Sequence, residues 1–123
     1  MATVALTKDN LESMINDSDT LIIDFWAEWC GPCRAFAPTF EAASEKHEGV
    51  VFAKCDTENE REVAAMFEVQ SIPMVVVFRE GVGIFKQSGA LPPAAIDEVL
   101  EKVAGLDMVE VRKHMAEQRP VDA

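Results

Sequence analysis

Basic residues are scarce in this sequence, and long apolar runs are missing from it. Eleven lysines and arginines face 22 aspartates and glutamates, which gives a formal net charge of −11. Such a charge repels phosphate backbones and anionic lipid surfaces, so we expect neither nucleic acid nor a membrane among the partners. The longest apolar stretches, residues 21–27 and 72–78, are far shorter than the about 20 residues that a membrane-spanning helix needs.

Cysteines are also few, and the N-terminus carries no pattern of an export signal. Three cysteines do not make the even, dispersed framework of a small secreted scaffold, and they suit a compartment that keeps thiols reduced. Residues 1–8 contain neither a basic n-region nor a long apolar h-region. These features predict a cytoplasmic location.

The length and composition predict a single domain. The chain has 123 residues, of which 49% are hydrophobic, and two domains would each be too small for a sizeable core. Gly105 follows the last strong apolar helical stripe. We therefore place a domain at residues 1–105 and a C-terminal extension, which has only a weak helical pattern, at residues 106–123.

Strand and helix patterns alternate along the chain. Runs rich in β-branched and aromatic residues predict strands, and apolar residues three and four apart predict helices. Alternating strands and helices are followed by two strands joined through a turn at residues 80–83, which predicts a mixed α/β sheet covered by helices. Thr7 is predicted to cap the first helix. The predicted strands are 4–6, 21–26, 50–55, 74–78 and 84–87, and later helices are predicted at about 33–46, at 60–67 and from Pro92 onward.

The chemistry centres on Cys30 and Cys33, which are separated by Gly31 and Pro32. The motif follows a predicted buried strand and opens a helix, so Cys30 lies where free N–H groups and the helix dipole stabilise a thiolate. The spacing brings the two sulfurs close enough to form a disulfide, and Pro32 costs no hydrogen bond in the first helical turn. We therefore expect Cys30 to attack a substrate disulfide and Cys33 to resolve the mixed disulfide.

Two other interpretations of the cysteine pair are open at this point. A structural zinc site needs about four ligands, and the further candidates Cys55, His47 and His114 are single and irregularly spaced. An inert buried pair is the second alternative, and the polar turn with its neighbours Trp29 and Arg34 argues against it, because reactive cysteines sit partly exposed in electropositive settings.

Residues 24–34, with the sequence Asp-Phe-Trp-Ala-Glu-Trp-Cys-Gly-Pro-Cys-Arg, resemble the signature of the thioredoxin family. The similarity covers about residues 4–104 and continues in order through residues 52–54, 71–73, 75–78, 81 and 89–90. It implies the thioredoxin fold, in which a mixed five-stranded sheet is flanked by about four helices, here with a short C-terminal extension. It also implies that no metal or organic cofactor is bound and that a thioredoxin reductase, drawing on NADPH or on ferredoxin, supplies the electrons.

The resemblance assigns roles to residues around the pair. Asp24 is the expected buried carboxylate beneath the cysteines, where burial raises its pKa and makes it a proton acceptor for Cys33. Lys54 is its expected charged neighbour, and a purely structural Asp24–Lys54 pair is the alternative. Pro73 matches the family's cis-proline, with a strand-start proline as the alternative. The expected docking patch for client peptides consists of Trp29, Gly31, Pro32, Ile72, Pro73, Gly89 and Ala90.

The dipeptide Gly31-Pro32 resembles that of the reducing members of the family, so the expected activity is the reduction of protein disulfides. The expected partners are a thioredoxin reductase and disulfide-containing client proteins, and the expected state is a monomer. A binding or assembly subunit that uses the same surface without turnover is the alternative. Removal of both thiols distinguishes the two interpretations, because only the enzyme then loses its function.

Three features depart from the family pattern. Met74 follows the expected cis-proline, where the family commonly has a small residue, and its long side chain is a candidate to reshape the docking patch. Cys55 is expected to be a buried hydrophobic residue rather than a third redox thiol. The extension after Gly105 is longer than a minimal member of the family requires.

Overall fold

The computed structural model describes residues 2–118 of the chain. Five strands and five helices follow one another in nearly the order that the sequence predicts. The strands are β1 (Thr3–Ala5), β2 (Thr20–Trp26), β3 (Val50–Asp56), β4 (Met74–Arg79) and β5 (Val82–Ser88). The helices are α1 (Leu11–Asp17), α2 (Gly31–Lys46), α3 (Arg61–Met66), α4 (Pro93–Ala104) and α5 (Met108–Gln118).

The strands form one mixed sheet in the order β1-β3-β2-β4-β5. Strand β3 pairs in parallel with β1 and with β2, whereas β4 runs antiparallel to β2 and to β5. The β4–β5 turn has positive φ angles at Glu80 (50°) and Gly81 (81°), as a tight hairpin requires. The mixed five-stranded sheet confirms the predicted fold class.

Strand β2 is the centre of the sheet and is buried on both faces. Its residues alternate between two apolar clusters, because successive side chains of a strand point to opposite sides. One cluster contains Ile22 and residues of α2 and α4, and the other contains Leu21, Ile23 and Phe25 with residues of α1 and α3. Helices therefore cover both faces, which explains why residues 21–25 form an unbroken run of buried side chains.

The start of the first helix differs from the prediction. Helix α1 begins at Leu11 with Asn10 as its N-cap residue, so the prediction that Thr7 caps it is wrong. Thr7 and Asn10 instead close a turn, in which the Thr7 N–H donates to Asn10 Oδ1 at 2.8 Å and the Asn10 N–H donates to Thr7 Oγ1 at 3.3 Å. Such reciprocal bonds between residues three apart have the pattern of a capping box, here placed one turn before α1 begins.

The C-terminal helix α5 follows α4 after Gly105, which is the C-cap residue of α4 as predicted. Met108 is buried, and the Arg112 Nη2 donates to the carbonyl oxygen and to the Oε1 of Glu80 in the β4–β5 turn. These contacts hold α5 at the end of the sheet where β4 finishes. The last part of the predicted extension, residues 119–123, lies outside the described residues. None of the helices within residues 2–118 is long and apolar enough to cross a membrane.

Candidate active site

Cys30 and Cys33 form a disulfide at the junction between β2 and α2, with their Cα atoms 5.3 Å apart. Cys30 is the N-cap residue of α2 in an extended conformation, and Gly31 and Pro32 make the first helical positions. The Cys33 N–H donates to Cys30 Sγ at 3.2 Å. A helix N-terminus that aims an N–H at this sulfur also stabilises negative charge on it when the disulfide is reduced.

Both cysteines are nearly enclosed by the protein. Cys30 is 4% exposed and Cys33 is 2% exposed, which is less than a reactive cysteine usually has. The covering residues are Ala27, Trp26 and Ile72, which pack around the two sulfurs. Trp26 and Ile72 are half-buried, so the cysteine pair lies just beneath the surface.

The loop before β4 reaches the cysteines from the other side. The Ile72–Pro73 peptide bond is cis, as predicted. The Ile72 carbonyl oxygen lies 3.8 Å from Cys30 Sγ, although 42 residues separate them in the chain. The Gly89 N–H donates to the Pro73 carbonyl oxygen at 2.7 Å, and its positive φ of 99° suits glycine. The fold thus brings three distant segments together at Cys30.

Four of the seven predicted docking-patch residues line two surface grooves, whereas Gly31, Pro73 and Gly89 line neither of the two. Trp29, 68% exposed, and Ile72 line one groove, which we call the Trp29 groove. Pro32 and Ala90 line the other, which we call the Pro32 groove. The remaining lining residues of the Trp29 groove are Thr57, Glu58, Arg61, Ala64, Ala65, Val69, Gln70 and Ser71, and those of the Pro32 groove are Ala35, Phe36, Thr39, Leu91 and Pro92.

Helix α3 forms one wall of the Trp29 groove, and sequence reasoning missed this. Arg61, Ala64 and Ala65 have helical spacing and face the groove, while Val63 points into the core. Small residues opposite a buried apolar position are the only signal in the sequence. That signal does not reveal which surface lies beside the helix, because the neighbour is Trp29, more than thirty residues earlier.

The surface next to Trp29 is acidic. Glu28, Asp56 and Glu58 line a shallow depression together with Trp29 and Asn59. Asp56 is held in place, since its Oδ1 accepts the Glu58 N–H at 2.9 Å. The basic residue nearby is Arg61, whose Nη2 lies 3.7 Å from Glu58 Oε1. Negative charge therefore dominates the depression beside Trp29.

Asp24 is fully buried, and among the described residues neither carboxylate oxygen has a hydrogen-bond partner. Burial raises the pKa of Asp24 to about 7, and the Lys54 charge opposes this rise. Asp24 and Lys54 are directly paired in register on β2 and β3. Asp24 shares the α2-facing side of β2 with Ile22, since alternate residues of a strand share a face. The α2-facing side of the sheet thus carries a buried carboxyl group whose pKa is raised to about 7.

Lys54 does not form the direct ion pair that a purely structural role of Asp24 would favour. Within the described part of the chain, no carboxylate oxygen lies within 4.0 Å of Lys54 Nζ. Its ammonium group lies over the ring of Trp26 instead, 5.1 Å from the ring centroid.

Two of the departures from the family pattern lie in the core rather than at the site. Met74 is buried with Phe25 and Cys55 on the α3 side of the sheet, so the expectation that it reshapes the docking patch is wrong. Cys55 is fully buried as predicted. Burial, with the nearby charges of Glu60 and Asp56, raises the pKa of Cys55 to about 12. A buried thiol with a raised pKa carries little of the thiolate that disulfide exchange requires.

The geometry also bears on the zinc alternative. Within residues 2–118, no group of three or more His, Cys, Asp or Glu side chains is arranged to hold a metal ion. His47 Nε2 lies 2.6 Å from Asp97 Oδ1, and Cys55 is on a strand rather than beside the pair. Cys30 and Cys33 are bonded to each other.

Comparison with known proteins decides the family. The family model described as thioredoxin matches residues 2–102, most of the chain. The chain belongs to the thioredoxin family. It is 48% identical to a putative thioredoxin 2 from Streptomyces coelicolor over 96% of this chain and 88% of that protein, and 38% identical to a thioredoxin from Staphylococcus aureus over 83% and 98%. A mutant thioredoxin from Halobacterium salinarum superposes with a TM-score of 0.78 at 26% identity, covering 85% of this chain and 92% of that one.

Membership in the thioredoxin family defines the activity of the disulfide. The chain is a thiol-disulfide oxidoreductase and, like its thioredoxin homologues, a protein-disulfide reductase. Thioredoxins bind no cofactor themselves, since the dithiol is the redox group. Nothing in the site favours a non-catalytic binding subunit, because the cysteine pair is intact and closed in a disulfide.

Proposed function

We propose that Cys30 is the nucleophile and Cys33 the resolving thiol in the reduction of client disulfides. The position of Cys30 supports this assignment, since it caps α2, accepts an N–H, and lies 3.8 Å from the Ile72 carbonyl oxygen. In the reduced chain the Cys30 thiolate attacks one client sulfur. A bond forms between Cys30 and that sulfur, the client disulfide breaks, and the second client sulfur leaves as a thiolate.

The client segment lies extended along the backbone of Ile72 and Pro73. Trp29 and Ile72 contact it on the side of the Trp29 groove, and Pro32 and Ala90 contact it on the side of the Pro32 groove. Gly31 and Gly89 leave room for a close approach of the client backbone, since neither carries a side chain. In support of this, a Cβ atom at either glycine would meet nothing within 4 Å.

Asp24 assists the second step, in which Cys33 resolves the mixed disulfide between Cys30 and the client. Its carboxylate accepts the proton of the Cys33 thiol, and the Cys33 thiolate then attacks Cys30 Sγ. The bond between Cys30 and the client breaks, the client leaves as a thiolate, and the chain ends as the disulfide. A pKa of about 7 suits a base that must accept and release protons near neutral pH. The positive charge of Lys54 limits the rise in the pKa of Asp24.

The electrons return from a thioredoxin reductase that uses NADPH, and the clients are disulfide-containing proteins of the cytoplasm. Membership in the thioredoxin family supports a thioredoxin reductase and disulfide-containing proteins as partners. The net charge of −11 supports the absence of nucleic acid and anionic lipid from the list of partners. The chain acts as a monomer, which sedimentation at the mass of one 13.5 kDa chain would verify.

Residues 1–105 form the catalytic domain and residues 106–123 an extension without a catalytic role. This division agrees with the match of the family model to residues 2–102. It also agrees with the lining of both grooves, which ends at Pro92. A chain that ends after Gly105 is then expected to keep its turnover in the assay described next.

The proposed function is tested by the reduction of a protein disulfide with catalytic amounts of the chain, with NADPH and a thioredoxin reductase as the donor. We expect turnover by the wild type and none by the Cys30→Ser/Cys33→Ser variant, because only the dithiol carries electrons. NADPH oxidation and client thiols are both measured. A second series with dithiothreitol as the donor separates a mismatched reductase from an inactive chain.

Cys55→Ala is the matched control in this assay. It also removes a thiol, but from the core of β3 rather than from the site, so we expect near wild-type turnover from the folded variant. Turnover by the variant without Cys30 and Cys33, or none by the wild type with either donor, would contradict the proposed function.

The acidic depression predicts a preference for basic clients. A peptide disulfide flanked by lysines is expected to react faster than one flanked by glutamates, because opposite charges steer association, and added salt should remove the difference. Glu58→Gln is expected to lower the rate for the lysine peptide by about two- to fivefold at low salt, the size of an exposed charge interaction. Stopped-flow rates at low and high ionic strength measure both effects.

Glu45→Gln is the matched control for this prediction, since it removes the same charge near the C-terminal end of α2, away from Cys30. It should leave the preference unchanged. If both variants lower the rate equally, the net charge rather than the depression selects the clients.

A further inference from the structure

Trp26 is the residue that links the cysteines to the charged groups beneath them. It lies two residues after Asp24 on β2, so both side chains are on the same face of the sheet. Lys54, directly opposite Asp24 on β3, is the diagonal neighbour of Trp26. The other edge of Trp26 packs with Cys30 and Cys33.

The Lys54 ammonium group packs against the face of the Trp26 ring. The distance of 5.1 Å from Lys54 Nζ to the ring centroid is within the range of a cation–π interaction. Among the described residues, Lys54 Nζ donates no hydrogen bond to a protein acceptor. A lysine side chain is long and flexible, so without a partner its charge would not keep one position.

Competing acidic groups lie close to Lys54. A groove beside β1 is lined by Trp26 and Lys54 together with the carboxylates of Asp56 and Glu60. Asp24, buried and paired in register with Lys54, is the titratable group on the protein side of the groove. An ammonium that turned toward Asp56 or Glu60 would move away from Asp24 into water.

From this arrangement we infer that Trp26 is a positioning residue for disulfide exchange, whose ring face holds the Lys54 ammonium on the Asp24 side of the groove. The inference rests on the proposed role of Asp24 in the second step. Lys54 opposes the effect of burial on the pKa of Asp24, and this opposition weakens as the distance between the two charges grows. Trp26 thereby helps to set the pH at which Asp24 becomes a base.

A double-mutant cycle tests the inference with Trp26→Leu and Lys54→Met. The readout is the pKa of Asp24 in the oxidised protein, followed through its carboxyl carbon by NMR. Trp26→Leu is expected to raise this pKa by about 0.5 to 1, because the Lys54 charge then moves away from Asp24. In the Lys54→Met background the same substitution should not raise it, because no ammonium remains to be displaced. The coupling between the two sites isolates the effect from a general loosening of the core.

Trp26→Phe keeps a ring face and is the conservative variant, expected to raise the pKa less than Trp26→Leu. If Trp26→Leu does not fold, the cycle is run with Trp26→Phe. An equal shift with and without Lys54, or no shift in the folded Trp26 variants, overturns the inference. The NMR titration does not depend on turnover. Failure of the proposed function would therefore appear in the reductase assay, and failure of the positioning role in the titration.

Discussion

Cys33→Ser is expected to accumulate as a covalent complex with its client, whereas Cys30→Ser forms no complex and turns over no client. Without Cys33, the bond between Cys30 and the client forms but cannot be exchanged, so the reaction stops at the mixed disulfide. Without Cys30, the remaining thiol is 2% exposed at the inner side of the pair. We expect both variants to lose at least about 10³-fold in turnover, the scale of removing a nucleophile.

The two variants are distinguished by mass spectrometry after incubation with a client disulfide under non-reducing conditions. A Cys33→Ser protein should gain the mass of the client, and dithiothreitol should release it. Cys55→Ala again serves as the control and should form no lasting complex. A trapped client on Cys30→Ser but not on Cys33→Ser would mean that the roles of the two sulfurs are reversed.

Asp24→Asn is expected to stabilise the oxidised protein above pH 7 by up to about 4 kcal/mol. This figure is the free-energy equivalent of a pKa that rises from 3.8 in the unfolded chain to about 7 in the fold. Below pH 3.8 both states hold the proton and burial carries no charge penalty. As the pH rises from 3.8 to about 7, the unfolded state loses its proton first, so the stability of the wild type falls.

Urea unfolding at a series of pH values measures this effect. The wild type should lose stability between pH 4 and about 7, and Asp24→Asn should not, because its amide stays neutral. The amide would be buried where, among residues 2–118, the Asp24 oxygens have no hydrogen-bond partner, which makes 4 kcal/mol an upper bound. Asp9→Asn, at an exposed site, is the control and should follow the wild type. A parallel pH dependence of Asp24→Asn and wild type would exclude Asp24 as the source.

The same substitution is expected to slow the release of clients by about 10²-fold, the lower end for a lost general base. The release rate of the wild type should rise with pH around the pKa of Asp24, and this inflection should be absent from Asp24→Asn. A gain in stability together with a loss in rate would mark Asp24 as a residue kept for chemistry rather than for folding.

The fold class and the redox group were predictable because their signals are local. The alternation of strand and helix patterns, the turn at residues 80–83 and the cap at Gly105 are each written within a few residues. The start of the first helix was misplaced because two capping residues lie close together in the sequence. Thr7 and Asn10 are both good capping residues, and the hydrogen bonds between them in the folded chain decide which one caps.

Met74 and helix α3 could not be placed from the sequence. A residue after a cis-proline faces either the docking patch or the core according to the register of β4, and the pairing of Met74 with Phe25 on β2 turns it inward. The wall that α3 contributes beside Trp29 depends in the same way on how the helix lies against the sheet.

The sequence by itself determined the chemistry of this protein, because both sulfurs and the helix start that activates them lie within four residues of one another. Only the tertiary structure decided what surrounds that chemistry. It brings the Ile72 carbonyl to 3.8 Å from Cys30 Sγ, joins Gly89 to Pro73, and lays Lys54 over Trp26. Each of these contacts joins different strands or loops, and strand order and register are set by burying two apolar faces at once rather than by any short motif.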